Sequence, residues 1–215
     1  MDSVRKANSG HSGGPMSSAD FTQILFTEYL NFDPNNPDWF NRDRFVLSAG
    51  HESALIYAML TQIGWLKVDD MKEFRQLHSR TPGHPEVEIH GVDATTGPLG
   101  QGFGMAVGMA TAESMLRARL GEIVNHFTYV VAGDGDFQEP ITLGAGSMAG
   151  HWGLSRLIVF YDSNNEKLHH FHIHYDVVFG PKNGLNYYFK DSNIWFNNCY
   201  FHEQLLIKIV NPEVE

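Results

Sequence analysis

The sequence predicts an α/β fold with a mainly parallel central sheet and helices on both faces. Two apolar runs, FTYVVAG and RLIVFYD, lack polar alternation, as strands covered on both sides require. Between them EPITLGAGSMAGHWGL has the length of a crossover helix, making a strand, turn, helix, strand unit. A third short apolar run, RFVLS, leads straight into another helical stretch.

Taken in chain order, MDSVRKANSG is too polar for a signal peptide, and glycine-rich sequence follows at once. So abrupt a start is read as truncation, with an upstream helix missing. In SADFTQILFTEYL, Ser18 is expected to cap a helix that buries Phe21, Ile24, Leu25 and Tyr29. NFDPNNPDWFNRD is a loop, RFVLS a buried strand and AGHESALIYAMLTQIGWL a helix. Asp70 and Glu73 have capping-box spacing ahead of Phe74 and Leu77, predicting a helix start there. TTGPLGQGFGMAVGMATAESMLRARL is a glycine-rich entry to a long helix, on which Gly104 and Gly108 would allow close packing against a neighbour. No internal repeat is evident.

The composition changes near residue 168. Residues 169–215 hold ten of the aromatic residues and five of the 12 histidines, without helical or strand periodicity. Residues 1–168 are therefore expected to form one domain, with a divergent, poorly ordered or non-native tail. HHFHIH would alternate His170, His172 and His174 along a strand face, a spacing open to metal ligation but not assigned a site.

A net charge of -10 without a Lys/Arg cluster argues against a nucleic-acid partner. No apolar run reaches the length of a membrane span. Cys199 is the single cysteine, so no intrachain disulfide is available, and a reducing, cytoplasmic setting is expected.

Chemistry concentrates where the two long apolar runs end. Ligands in open parallel sheets bind beyond the carboxyl ends of the strands. Asp134 would stand at one strand end and Asn164 at the next, and their hard oxygens suit Mg²⁺ or Ca²⁺. Gly133 and Gly135 would permit positive φ and close approach of a phosphate, with N–H donors from the next helix. Ordinary turn chemistry explains Asp-Gly or Asn-Asn alone; their pairing across one crossover unit describes a metal-bridged diphosphate site. His11, His51 and His84 each follow a glycine, as SGH, AGH and PGH, and could present their rings to a cleft. His78 is read as packing or solvation, and His90 is without a role.

GDGDFQE followed by DSNN resembles the thiamine diphosphate motif, which opens on Gly-Asp-Gly and closes about thirty residues later on Asn-Asn. With ANSGHSGGPMSSAD, DRFVLSAGHESALIY, FRQLHSRTPGHPE and TTGPLGQGFGMAVGMA in order, residues 5–166 resemble the transketolase family. The resemblance implies that Asp134, Asn164 and the Glu166 carbonyl hold Mg²⁺, and that Gly135 lies against the diphosphate. It also implies that the backbones of Gly97 and Leu99 contact the aminopyrimidine. His11, His51 and His84 would line the cofactor and sugar cleft, and Glu139 would join a network linking two active sites of a dimer. Expected cofactors are thiamine diphosphate with Mg²⁺ or Ca²⁺, and expected substrates are sugar phosphates. A pyrimidine-domain partner subunit or homodimer mate would complete the site. Pro140 stands where many members have glycine, and the family pattern ends after residue 166. Three readings stay open: the diphosphate half of a transketolase, an inactive truncated or frame-shifted fragment, or a related enzyme such as dihydroxyacetone synthase or phosphoketolase.

Overall fold

The computed structural model describes residues 1–162. Asn164, Glu166, the histidines at 170, 172 and 174, Cys199 and the division near residue 168 lie outside the described residues. In chain order the elements are α1 (Asp2–Ala7), α2 (Gly13–Ser17), α3 (Ala19–Ile24), a π-turn (Leu25–Tyr29), β1 (Arg44–Leu47), a 3-10 turn (Gly50–Glu52), α4 (Ser53–Gln62) and α5 (Val68–Lys72). After them come α6 (Gln101–Leu120), a second 3-10 turn (Gly121–Ile123), β2 (Thr128–Gly133), α7 (Asp134–Phe137), α8 (Pro140–Trp152) and β3 (Leu157–Asp162).

The three strands run parallel in the order β1-β2-β3. Every residue of central β2 is buried, which explains its unbroken apolar run. Leu47 pairs with Val131 and Phe160 with Val131, so these three and their alternate neighbours share one sheet face. Phe21 stacks on Phe160 there, with ring centroids 4.9 Å apart, and Phe26 meets Phe45 edge-on at 5.1 Å. Tyr161 projects to the opposite face, where it meets Phe137 at 5.2 Å, and Phe137 meets Phe103 of α6 at 5.5 Å. Helices thus flank the sheet on both sides, as the apolar runs require. Among the described residues, no helix is long and apolar enough to cross a membrane.

Several local expectations need correction. Ser18 stands directly before α3, where the sequence puts it, but its side chain forms no cap: the residue is buried in helical geometry and its N–H donates to the Gly14 carbonyl at 2.9 Å, running on from α2. The following turn is π-helical, with Leu30 N–H donating to the Leu25 carbonyl at 2.8 Å. The buried stripe is Phe21, Thr22, Leu25 and Phe26, at the i, i+1, i+4, i+5 spacing of one helical face, which leaves Ile24 exposed, and beyond the wider turn Tyr29 is exposed as well. Asp70 belongs to a helix already begun: its carboxylate accepts from Lys67 N–H at 2.8 Å, α5 ends at Lys72, and Leu77 is exposed. Of the glycine pair on α6, a Cβ at Gly104 would touch Ile141 of α8 at 3.4 Å, whereas Gly108 faces open space. The polar first residues form α1, an element the sequence reading did not anticipate.

The amino ends of the strands are closed by a polar network. Arg42 donates two hydrogen bonds to Asp93 at 2.9 and 2.8 Å, and Asp43 accepts from the N–H groups of Asn31 and Phe127 at 2.8 and 2.6 Å. Burial pushes the carboxyl of Asp43 up and the imidazole of His126 down to about 4. This leaves the carboxyl ends as the open edge.

Candidate functional site

Four chain segments meet at that edge: the turn after β1, the first turns of α7 and α8 after β2, the end of β3, and the loop that feeds α6. The register Gly133 to Asp162 brings the ends of β2 and β3 level. Asp134, 9% exposed, opens α7 and accepts a hydrogen bond from the hydroxyl of Tyr161 on β3. Gly133 and Gly135 take ordinary backbone conformations rather than positive φ; Gly133 has φ -99° and ψ 179°. Buried Gly135 is within the first turn of α7, so its missing side chain, not a left-handed hinge, is what keeps that backbone bare.

The same turn carries a carboxylate that sequence reasoning missed. Asp136 is 1% exposed. Its Oδ1 accepts from Ser48 Oγ at 2.5 Å and Gly100 N–H at 2.8 Å, and its Oδ2 accepts from Gly133 N–H at 3.0 Å. Ser48 Oγ in turn accepts from Phe103 N–H at 2.9 Å. One buried acid therefore ties the ends of β1 and β2 to the amino end of α6. Its position two residues beyond Asp134 was visible; the approach of Gly100, 36 residues away, was not.

The loop entering α6 needs its glycines. Gly97 has φ +150°, and a Cβ there would lie 3.3 Å from the ring of His84. At Gly100, φ is +79° and a Cβ would lie 2.7 Å from Thr142 Oγ1 and 2.8 Å from both Glu139 Cβ and Ile141 Cγ2. Gly100→Ala is accordingly expected to cost roughly 2–4 kcal/mol, while Gly108→Ala, in open space, should gain about 0.5–1 kcal/mol. Urea midpoints of the two variants would check both signs.

The three expected histidines converge on this loop. His11 meets His51 edge to face, with centroids 4.9 Å apart. Burial, then the charges of Arg75 and His11, push His84 below the usual imidazole range. His84 also anchors its segment by accepting from Tyr57 Oη at its carbonyl, at 3.0 Å. Leu99 is half-buried, and Glu139 is the residue before α8, next to Gly100. His78 is exposed at φ 62°, in keeping with solvation, and exposed His90 has its Nδ1 3.9 Å from Asp38 Oδ1.

Glu52, adjacent to His51, is a second missed residue. It is completely buried and its carboxyl rises to about 8, through burial and then the charges of Asp162 and Asp136. An acid directly ahead of the apolar stretch SALIYAML was the available signal.

Residues 1–170 match the family described as transketolase, thiamine diphosphate binding domain. The chain is 54% identical over 173 residues to the transketolase of Staphylococcus epidermidis, and 55% over 174 residues to that of Bacillus subtilis. In both cases 78% of this chain is covered but 26% of the relative, so it spans about a quarter of their length. Among solved structures, transketolase from Leishmania mexicana superposes with a TM-score of 0.74 at 50% identity, over 76% of this chain and 25% of that one. That of Campylobacter jejuni does so with a TM-score of 0.74 at 48% identity, over 77% and 26%. The parallel sheet, the glycine-lined edge and these matches lead to one conclusion: the chain belongs to the transketolase family, in the part that carries its thiamine diphosphate binding domain.

Proposed function

We propose that this chain supplies the magnesium and diphosphate half of a transketolase-type site, which transfers a two-carbon ketol unit between sugar phosphates. The observation that carries the reading is the carboxylate of Asp134, nearly buried at the tip of β2 and level with the end of β3. The donor set fits the cofactor: a carboxylate with the amide and carbonyl of Asn164 and Glu166 is a hard oxygen set suited to Mg²⁺ or Ca²⁺. The bare backbone of Gly135 and the helix starts beside it offer N–H donors to a diphosphate, and the Gly97 and Leu99 backbones border the space for the aminopyrimidine. When bound, thiamine diphosphate supplies the carbanion chemistry that breaks and makes the C–C bond.

The chain's own residues would bind, orient and move protons. A neutral His84 can accept from or donate to a sugar hydroxyl near neutral pH, and His11 and His51 brace one another across the cleft. Glu139 would carry the polar link toward a second site. The remainder of the site would come from a pyrimidine domain on a partner subunit or homodimer mate. Support for such a partner comes from α8, where Ile141, Met148 and Trp152 share one helical stripe and are all exposed.

Calorimetry of thiamine diphosphate binding, with and without Mg²⁺, tests the reading. Metal should raise the affinity of the native chain, and Asp134→Ala should abolish that metal-dependent gain. Equal affinity in the two proteins, or no effect of Mg²⁺ on either, would remove Asp134 from the site. Product analysis with pentose phosphates would then separate ketol transfer from phosphoketolase chemistry.

A further inference from the structure

Glu52 occupies a position where an acid needs a reason. It closes the 3-10 turn between β1 and α4, is 0% exposed, and neither Oε1 nor Oε2 has a hydrogen-bond partner among the described residues. The space it fills exists because residue 14 is glycine: a Cβ there would lie 2.0 Å from Oε1 and 2.2 Å from Cδ. The backbone of α2 thus rests directly on the carboxyl. An ionised carboxylate in such a place is costly without a partner. The charged groups facing it from β3 and α7 are themselves acids, Asp162 and Asp136. Among the described residues, a basic group within reach is the imidazole of His51, whose Nε2 lies 4.0 Å from Oε1, and whose ring is braced in turn by His11.

We propose that Glu52 is a positioning residue that shares one proton with His51 across the wall of the cleft, so that the carboxyl sets the protonation state of the imidazole. In one form the proton is on Glu52 and both groups are neutral. In the other it has passed from Oε1 to Nε2, leaving a carboxylate beside an imidazolium. No net charge is gained or lost, and a modest side-chain rotation closes the 4.0 Å separation to bonding distance. Neutral Glu52 can donate only to a bare Nε2, so the neutral His51 of this pair carries its hydrogen on Nδ1. His51 would then enter the cleft with a defined tautomer, and its charge would follow an acid hidden from solvent.

The importance of that tautomer rests on the proposed function, but the test needs no cofactor. The ring nitrogens of His51 in the full chain would be followed by NMR against pH, with the signal assigned by its loss in His51→Gln. The native protein should show two steps, the upper one tracking Glu52 near pH 8, with the neutral ring in the Nδ1–H form. Glu52→Gln should leave a single step, its midpoint lower by roughly one pH unit. Gly14→Ala keeps the acid but drives it from its seat, and should give the same single step; it carries the test should the glutamine variant not fold. A purely structural acid would change stability without moving the ring's titration. One identical transition in the native protein and either folded variant would overturn the pairing. Loss of metal-dependent cofactor binding, by contrast, would sink the diphosphate reading and leave the titration intact.

Discussion

Asp136→Ala is expected to destabilise the chain by about 3–6 kcal/mol, a large share of the roughly 5–15 kcal/mol that typical domains possess. The carboxylate accepts three hydrogen bonds, and two of the donors are backbone N–H groups, of Gly100 and Gly133. Alanine would leave both inside the protein without an acceptor and free the Ser48 hydroxyl from its anchor. Bonds to a charged acceptor are the stronger kind, and orphaned buried donors are penalised in full. Asp136→Asn retains one oxygen but turns an NH₂ toward a donor, so roughly half the loss is expected. Urea unfolding of the three proteins at pH 7 gives the comparison. A loss under 1 kcal/mol for the alanine variant would mean that solvent reaches those amides.

Glu52→Met should have the opposite sign, raising stability by up to about 4 kcal/mol at pH 8. In the folded chain the carboxyl keeps its proton up to about 8, against a reference value of 4.5. Below the lower value both states are protonated and no penalty arises. As pH rises between the two values the unfolded chain alone releases the proton, so stability falls steadily and then levels off above 8. The buried His126 works the other way at lower pH: its folded value near 4 means stability rises toward pH 6.5 and stays constant beyond. Because that contribution is common to both proteins, the difference between native and Glu52→Met urea midpoints isolates the glutamate. The difference should widen from pH 5 to pH 8. A constant difference would show that Glu52 titrates alike in both states.

The elements legible in sequence were those whose evidence is local and long. β2, α8, β3 and the glycine-rich start of α6 follow from unbroken apolar runs and from glycines in a row. The place of Asp134 at the tip of β2 was legible because the apolar run stops at the residue before it. Other features depended on events a periodic pattern does not register. Which face of α3 packs was one of them: Thr22 and Phe26 lie at the core beside Phe21 and Leu25, while Ile24 and Tyr29 are exposed. A lysine backbone, not an acidic cap, marks the start of α5, so capping-box spacing at Asp70 pointed one turn too late. Asp136 and Glu52 were hidden for a related reason. Their meaning comes from Gly100 and Gly14, which are distant in the chain and contribute by having no side chain.

The pairing of β1 with β2 has a consequence for how the chain is made. Val46 lies beside Val130, and the intervening segment includes α4, α5 and α6. On a ribosome the earlier strand must wait several seconds for its neighbour, at about 5–20 residues per second. Throughout that interval RFVL presents an unsatisfied edge, vulnerable to pairing with another nascent copy. Birth of this protein is therefore a period of exposure that chaperones would need to cover, and slowing translation between those strands should lower its soluble yield.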